Sequence, residues 1–423
     1  MVLLVFGAIV GVLVAVVAFF FLKAVTEVQS YVFTTLPQEL GFSGEPLWWP
    51  LPCLALAGLL VALAIRSLPG TAGHKPAEGF KTGSPVLPIE LPGIVIASFA
   101  TLCLGVVLGP EAPLIAIGSG IGVLAVHLVK RDAPATATVV IASAGSFAAI
   151  STLLGSPIVG AFLLMEAAGI GGAMLGVVLV PGLLAAGVGS LIFIGLDSWT
   201  GFGTFSLAVP DIPHVGSPRG PEFLWAIGIG VVAAVLGTAI RRSALILQPI
   251  VERRIVLLTP LVGLAIAGLA IAFVEGTGRS SSLVLYSGQD QLGPLIQNAG
   301  SWSVWALLLL IACKSLAYGA SLSSFRGGPT FPGMFIGTAG GIALSHAPGL
   351  PMIAGAAMGI GAMSVTMLGL PLTSVLLASL FLQPDAIALM PLVIVAVVVA
   401  YVTSARLAAP PSPTPPDASS LPS

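Results

Sequence analysis

Glu111 is the first residue whose surroundings point to chemistry. It follows Gly109-Pro110 and precedes Ala112-Pro113 and the apolar run Leu114–Val129. A proline fits a first helical turn, so the pattern predicts a helix that starts at Glu111 inside apolar sequence. A carboxylate within a bilayer costs about 2.5–3.5 kcal/mol and is a functional candidate by default. A helix start presents free N–H groups and the positive end of the helix dipole, and both attract an anion. A carboxylate at that spot competes with a mobile anion for the same donors. Once protonated it would leave, and the anion could take its place. The bland alternative is a helix-start carboxylate at a wetted surface.

Gly328-Pro329-Thr330-Phe331-Pro332 builds a second helix start of the same design. Two such starts meeting at mid-membrane would form an anion site from backbone N–H groups; taken alone, the segment is a Gly/Pro turn. Glu166 closes the run Ala161–Met165 and reads either as a structural carboxylate near a helix end or as a second protonatable group. Lys314 and Arg326 flank the approach to Thr330. They could balance Glu111 or Glu166, raise the local anion concentration, or snorkel to the interface. His74, in Gly73-His74-Lys75-Pro76, precedes a polar loop; the four histidines have no metal-ligand spacing.

The elements that must position these groups are apolar and short. Apolar segments fall at 2–22, 48–65, 92–108, 112–129, 138–165, 170–195, 223–240, 256–274, 303–320, 331–345, 352–380 and 386–404. Several fall below the roughly 20 residues of a perpendicular span. Gly and Pro, 52 and 34 residues, interrupt many of them. Broken helices of this kind mark channels and transporters, and survive where they line a cavity or are buried in protein. The chain also repeats. Gly109–Gly122 and Gly328–Gly341 share G-P-x-x-P-x-x-x-I-G-x-x-x-G, and Thr152-Leu153-Leu154-Gly155-Ser156-Pro157 resembles Thr366-Met367-Leu368-Gly369-Leu370-Pro371 in the same order.

Basic residues orient the halves. No Lys or Arg lies between Lys23 and Arg66, whereas Arg66, Lys75 and Lys81 mark the next loop, and Arg241, Arg242, Arg253 and Arg254 follow the segment 223–240. The positive-inside rule puts the first loop outside and the others inside, which predicts inverted repeats. The division is 1–200 for the first repeat, 201–222 for a linker, 223–405 for the second repeat and 406–423 for a Pro/Ser-rich tail expected to be disordered.

Composition excludes most other classes. The chain is 57% hydrophobic and 7% charged, against about 25% charged in soluble domains. It is expected to be an integral multi-pass protein of the cell membrane with lipid as its main partner. A net charge of −1 gives no reason to expect nucleic acid. Cys53, Cys103 and Cys313 are far apart in apolar runs and read as buried small hydrophobes. No nucleophile–base pair, metal cluster or cofactor motif is present, so no enzyme, metal or cofactor is expected. The run Met1–Leu22 reads as a retained first span rather than a cleaved signal.

Over about residues 1–405 the chain resembles the CLC family of chloride channels and proton-coupled chloride exchangers. Gly109-Pro110-Glu111-Ala112-Pro113 looks like the family's G-[KR]-E-G-P. Gly328-Pro329-Thr330-Phe331-Pro332 looks like G-x-F-x-P, and Gly73-His74-Lys75-Pro76 with Glu78-Gly79 is similar to G-S-G-I-P and its following E-G. The resemblance implies an all-α polytopic CLC-type fold of two inverted repeats with re-entrant helices, assembled as a homodimer with one pore per subunit. It implies that Glu111 gates and that a chloride or similar small anion is bound around Gly109, Ala112, Gly328, Thr330, Phe331, Gly73 and His74. Glu166 matches the first of two adjacent acidic residues in the family. The departures are specific. Ala167 stands where the family has its proton-relay glutamate, which favours passive conduction over exchange. The motif serine has no clear counterpart, and the family's tyrosine falls near Ala386. Pro110 and Pro329 each remove an N–H from the cradle. No CBS pair is expected after the membrane part.

Overall fold

The computed structural model describes residues 1–80, 84–169, 173–201, 216–382 and 386–408. Most of the linker, nearly all of the tail, and Lys81 lie outside the described residues. The described chain is helical. In order it forms α1 (Val2–Ser30), which passes through a π turn into α2 (Leu36–Glu39), then α3 (Pro50–Ser67), α4 (Leu91–Cys103), α5 (Glu111–Val129), α6 (Ala135–Leu154), α7 (Pro157–Ala168) and α8 (Ala173–Thr200). The second half forms α9 (Gly220–Glu252), α10 (Ile255–Thr277), α11 (Leu292–Gln297), α12 (Val304–Ser324), α13 (Thr330–Leu344), α14 (Met352–Leu368), α15 (Pro371–Leu382) and α16 (Ala386–Leu407). Among the described residues nine helices are long and apolar enough to cross a membrane, and α4, α7, α13, α14 and α15 are shorter apolar helices.

Two apolar segments that read as continuous are each broken in two. The runs 138–165 and 352–380 split at Gly155-Ser156-Pro157 and Gly369-Leu370-Pro371, the second repeated pair. Both glycines take the left-handed conformation (φ 64° and 73°) that ends a helix. Each following proline then starts the next one at N1. Hydrophobicity alone cannot see that break, because it is set by backbone conformation.

The two halves pack by the same plan. Helix α5 lies on α6 as α13 lies on α14, α1 on α8 as α9 on α16, and α1 on α6 as α9 on α14. The glycines of the shared motif explain the closest of these contacts. A Cβ at Gly118 would strike the Gly145 carbonyl, and one at Gly337 or Gly341 would strike the carbonyls of Gly359 or Gly355. Small residues at four-residue spacing let apolar helices approach backbone to backbone. The halves meet through like elements: α3 on α10, α7 on α15, and Gly109 on Gly328.

The loops sort by side. Lys75 Nζ lies 2.7 Å from Glu252 Oε1, joining the loop after α3 to the end of α9. Ser281 Oγ donates to Glu45 at 2.8 Å, joining the loop before α3 to the loop after α10. The Lys75–Glu252 contact brings together two basic loops that the charge pattern places inside.

Candidate functional site

The site is built where the repeats cross. Gly109 N–H donates to Gly328 O at 2.8 Å, and Gly328 N–H donates back to Gly109 O at 2.6 Å. This reciprocal bridge sets the first turns of α5 and α13 face to face. Glu111, 1% exposed, extends from the start of α5 to the start of α13. Its Oε1 accepts the Thr330 N–H, and the N–H groups of Phe331 and of Glu111 itself also face the carboxylate. The carboxylate therefore occupies the N-terminus of a helix from the other half, where free N–H groups hold negative charge.

The arrangement is crowded. A Cβ at Gly109 or Gly328 would overlap the Glu111 carboxylate. Glu111 Oε2 and Thr330 Oγ1 are buried and complete no hydrogen bond. Tyr318, fully buried on α12, donates its phenol to Pro329 O at 2.6 Å and fixes the turn from behind. Sequence reading missed Tyr318; the available signal was a tyrosine four residues after Lys314, ahead of the second motif.

A cavity of about 460 Å³ reaches this crossing. Its walls include Ser119 on α5 with Ser143 and Ser146 on α6, and its mouth includes Gly73, His74 and Glu78. Its inner end is formed by Ala112, Gly327 and Pro329. Val86 N–H donates to Ser119 Oγ at 3.1 Å and pins the following loop against the wall. The three serines were not singled out from sequence, although Ser119 recurs one helical face along from Ala112, Ile115 and Ala116.

The other predicted residues fall as follows. Ala112, Gly73 and His74 line the cavity, and His74 Nε2 is 2.8 Å from Gly79 O. Gly109 and Gly328, expected to donate to an anion, instead spend their N–H groups on each other, because the antiparallel bridge demands both. The Glu166 carboxylate accepts from Leu372 N–H (2.9 Å), Thr373 N–H (2.8 Å) and Thr373 Oγ1 (2.6 Å), capping α15 from across the molecule.

Lys314 is neither a pore charge nor a snorkelling residue. It is fully buried, with Nζ 3.0–3.2 Å from the carbonyls of Leu283, Val284, Leu285 and Tyr286 and 4.6 Å over the Phe335 ring. A buried ammonium must satisfy its donors, and this loop does so with backbone. Arg326 is also buried; Nε reaches Thr71 O at 3.3 Å and Nη1 reaches Phe325 O at 3.2 Å. It holds the Gly70–Gly73 turn, in which Thr71 and Ala72 have positive φ (48° and 58°). Neither cation lines the cavity. Among the described residues no group of His, Cys, Asp or Glu could hold a metal ion.

Comparison with known proteins decides the family. Residues 58–405 match the voltage gated chloride channel family. The chain belongs to that family. YfeO of Escherichia coli O1:K1, a protein named for ion transport, is 30% identical over 346 residues, covering 81% of this chain and 79% of YfeO. Among solved structures, the chain is similar to a slow cyanobacterial Cl−/H+ antiporter (TM-score 0.76, 20% identity, 96% and 94% of the two chains). It is also similar to a CLC-type fluoride/proton antiporter (TM-score 0.70, 19% identity, 95% of each chain). The fold is the CLC fold, the protein is an integral multi-pass membrane protein, and its class is anion transport rather than enzymatic catalysis.

Proposed function

We propose that the chain is an anion channel in which Glu111 is the gate and conduction is passive. The observation that carries this reading is the Glu111 carboxylate lying on the N–H groups of Thr330 and Phe331. A small anion that displaced the side chain would meet the same donors, with Ala112 and the cavity behind it. Charge-assisted hydrogen bonds of this kind are worth about 1.5–3 kcal/mol, enough to hold a gate shut by a factor of about 10 to 100. Passive flow is favoured because Ala167 carries no proton and Glu166, beside it, is committed to α15. The conducting unit in this reading is a homodimer in the cell membrane, with chloride or a similar small anion as cargo.

The test is anion efflux from proteoliposomes with chloride, fluoride and nitrate, alongside a proton readout. Wild-type efflux should rise on acidification, whereas Glu111→Gln and Glu111→Ala should conduct about 10- to 100-fold faster at neutral pH with a flat pH profile. Efflux indifferent to both substitutions removes the gating role. Protons driven uphill by a chloride gradient would make the protein an exchanger, and well-folded protein with no flux at all would make it a transport-dead scaffold.

A further inference from the structure

Thr330 occupies the first position of α13 with its side chain in the site rather than in a cap. Its Oγ1 is buried beside the Glu111 carboxylate and completes no hydrogen bond, and neither does Glu111 Oε2. The preceding residue, Pro329, has no N–H to give, and the Gly328 N–H is bound to Gly109. The second motif thus lacks two backbone donors ahead of Thr330, at the point where a hydroxyl is left over. A threonine hydroxyl turns freely and can donate to whichever acceptor stands before it.

The geometry points to the Thr330 hydroxyl as a switchable donor, given to Glu111 when the gate is shut and to the transported anion when it is open. This rests on the gating reading above and adds to it the residue that sets the pH of opening and the grip on the anion. In the shut state a small turn of the Thr330 side chain brings its hydroxyl onto Glu111 Oε2, the other buried atom left without a hydrogen bond, and this favours the ionised carboxylate over the protonated form. In the open state it supplies one neutral O–H donor suited to a small monovalent anion. Of the titratable groups nearby, Tyr318 on α12 is committed to Pro329 O. Lys314 on the same helix is committed to the 283–286 carbonyls. Arg241 lies on α9, which packs against α12.

The experiment is chloride efflux from proteoliposomes as a function of pH and of chloride concentration. The variants are Thr330→Val, Thr330→Ala and Thr330→Ser, each also made with Glu111→Gln. Valine and alanine should move the midpoint of acid activation up by about one pH unit, since less acid then frees the gate. They should also raise the half-saturating chloride concentration about tenfold. Serine, which keeps the hydroxyl, should match wild type. With Glu111→Gln the pH effect should vanish and the loss of chloride affinity should remain. Valine and alanine variants with wild-type midpoint and half-saturation, beside a pH-insensitive Glu111→Gln, overturn the role of the hydroxyl alone. A Glu111→Gln variant that keeps its acid activation overturns the gate itself.

Discussion

The two halves share a backbone plan and divide its chemistry unequally. At the helix starts the first half supplies the acids. Glu111 reaches the start of α13, and Glu166 reaches the start of α15. The second half has Thr330 and Leu380 at the corresponding places, and returns neither favour. It supplies the buried cations instead: Lys314 gathers four carbonyls of its own half, and Arg326 holds Thr71 of the first. Helix α7 shows what remains local. Its first turn is capped by its own Ser156, at 3.3 Å from Val159 N, whereas α15 has Leu370 there and borrows Glu166. The difference teaches that a duplicated fold keeps its geometry by packing while its polar groups are free to specialise across the interface.

That division can be broken most severely at Lys314. Lys314→Met should leave the carbonyls of 283–286 buried without a donor, lowering stability by about 3 kcal/mol or more. The loop after α10 should then become open to protease, and a variant with wild-type unfolding and digestion would refute the tether. The remote cap comes next. Glu166→Ala should cost about 1–2 kcal/mol in reversible unfolding, and adding Leu370→Ser should recover part of it by giving α15 a local cap like that of α7. If the double variant stays as unstable as the single one, the two caps are not interchangeable.

The smallest effect lies at Glu45. Burial pushes its carboxyl above the usual range, and the Ser281 hydroxyl only partly offsets this. A raised folded value means that this group's contribution is most favourable in acid and is lost as pH rises through that value. Glu45→Gln keeps an acceptor for Ser281 and removes the charge. It should therefore raise Tm at pH 8, with the gain fading once the pH falls below the ordinary glutamate range, about 4.3. An equal gain at both ends of the scale would mean that packing, not ionisation, is responsible.

Much of this was legible in the residues. Glu111 between two prolines and the repeated motif located both helix starts. The reading failed where partners are remote. Nothing near Lys314 in sequence names the carbonyls it binds, because backbone acceptors have no residue signature. The same holds for Glu166, whose partners at Leu372 and Thr373 belong to the other half. In sequence Gly109 and Gly328 are candidate anion donors, because their pairing with each other arises only where the halves cross. The two helix breaks were visible as a repeat yet hidden in the apolar runs, since hydrophobicity carries no record of a left-handed glycine.

The reciprocal bond between Gly109 and Gly328 also bears on how the chain is made. The first half leaves the ribosome before the second, and until then the Gly109 N–H and carbonyl lack the partner they have in the folded chain. Water, lipid headgroups or an insertion factor must attend to them during that interval. Maturation of the crossing is thus a late event in biogenesis, completed only when the second half folds back onto the first.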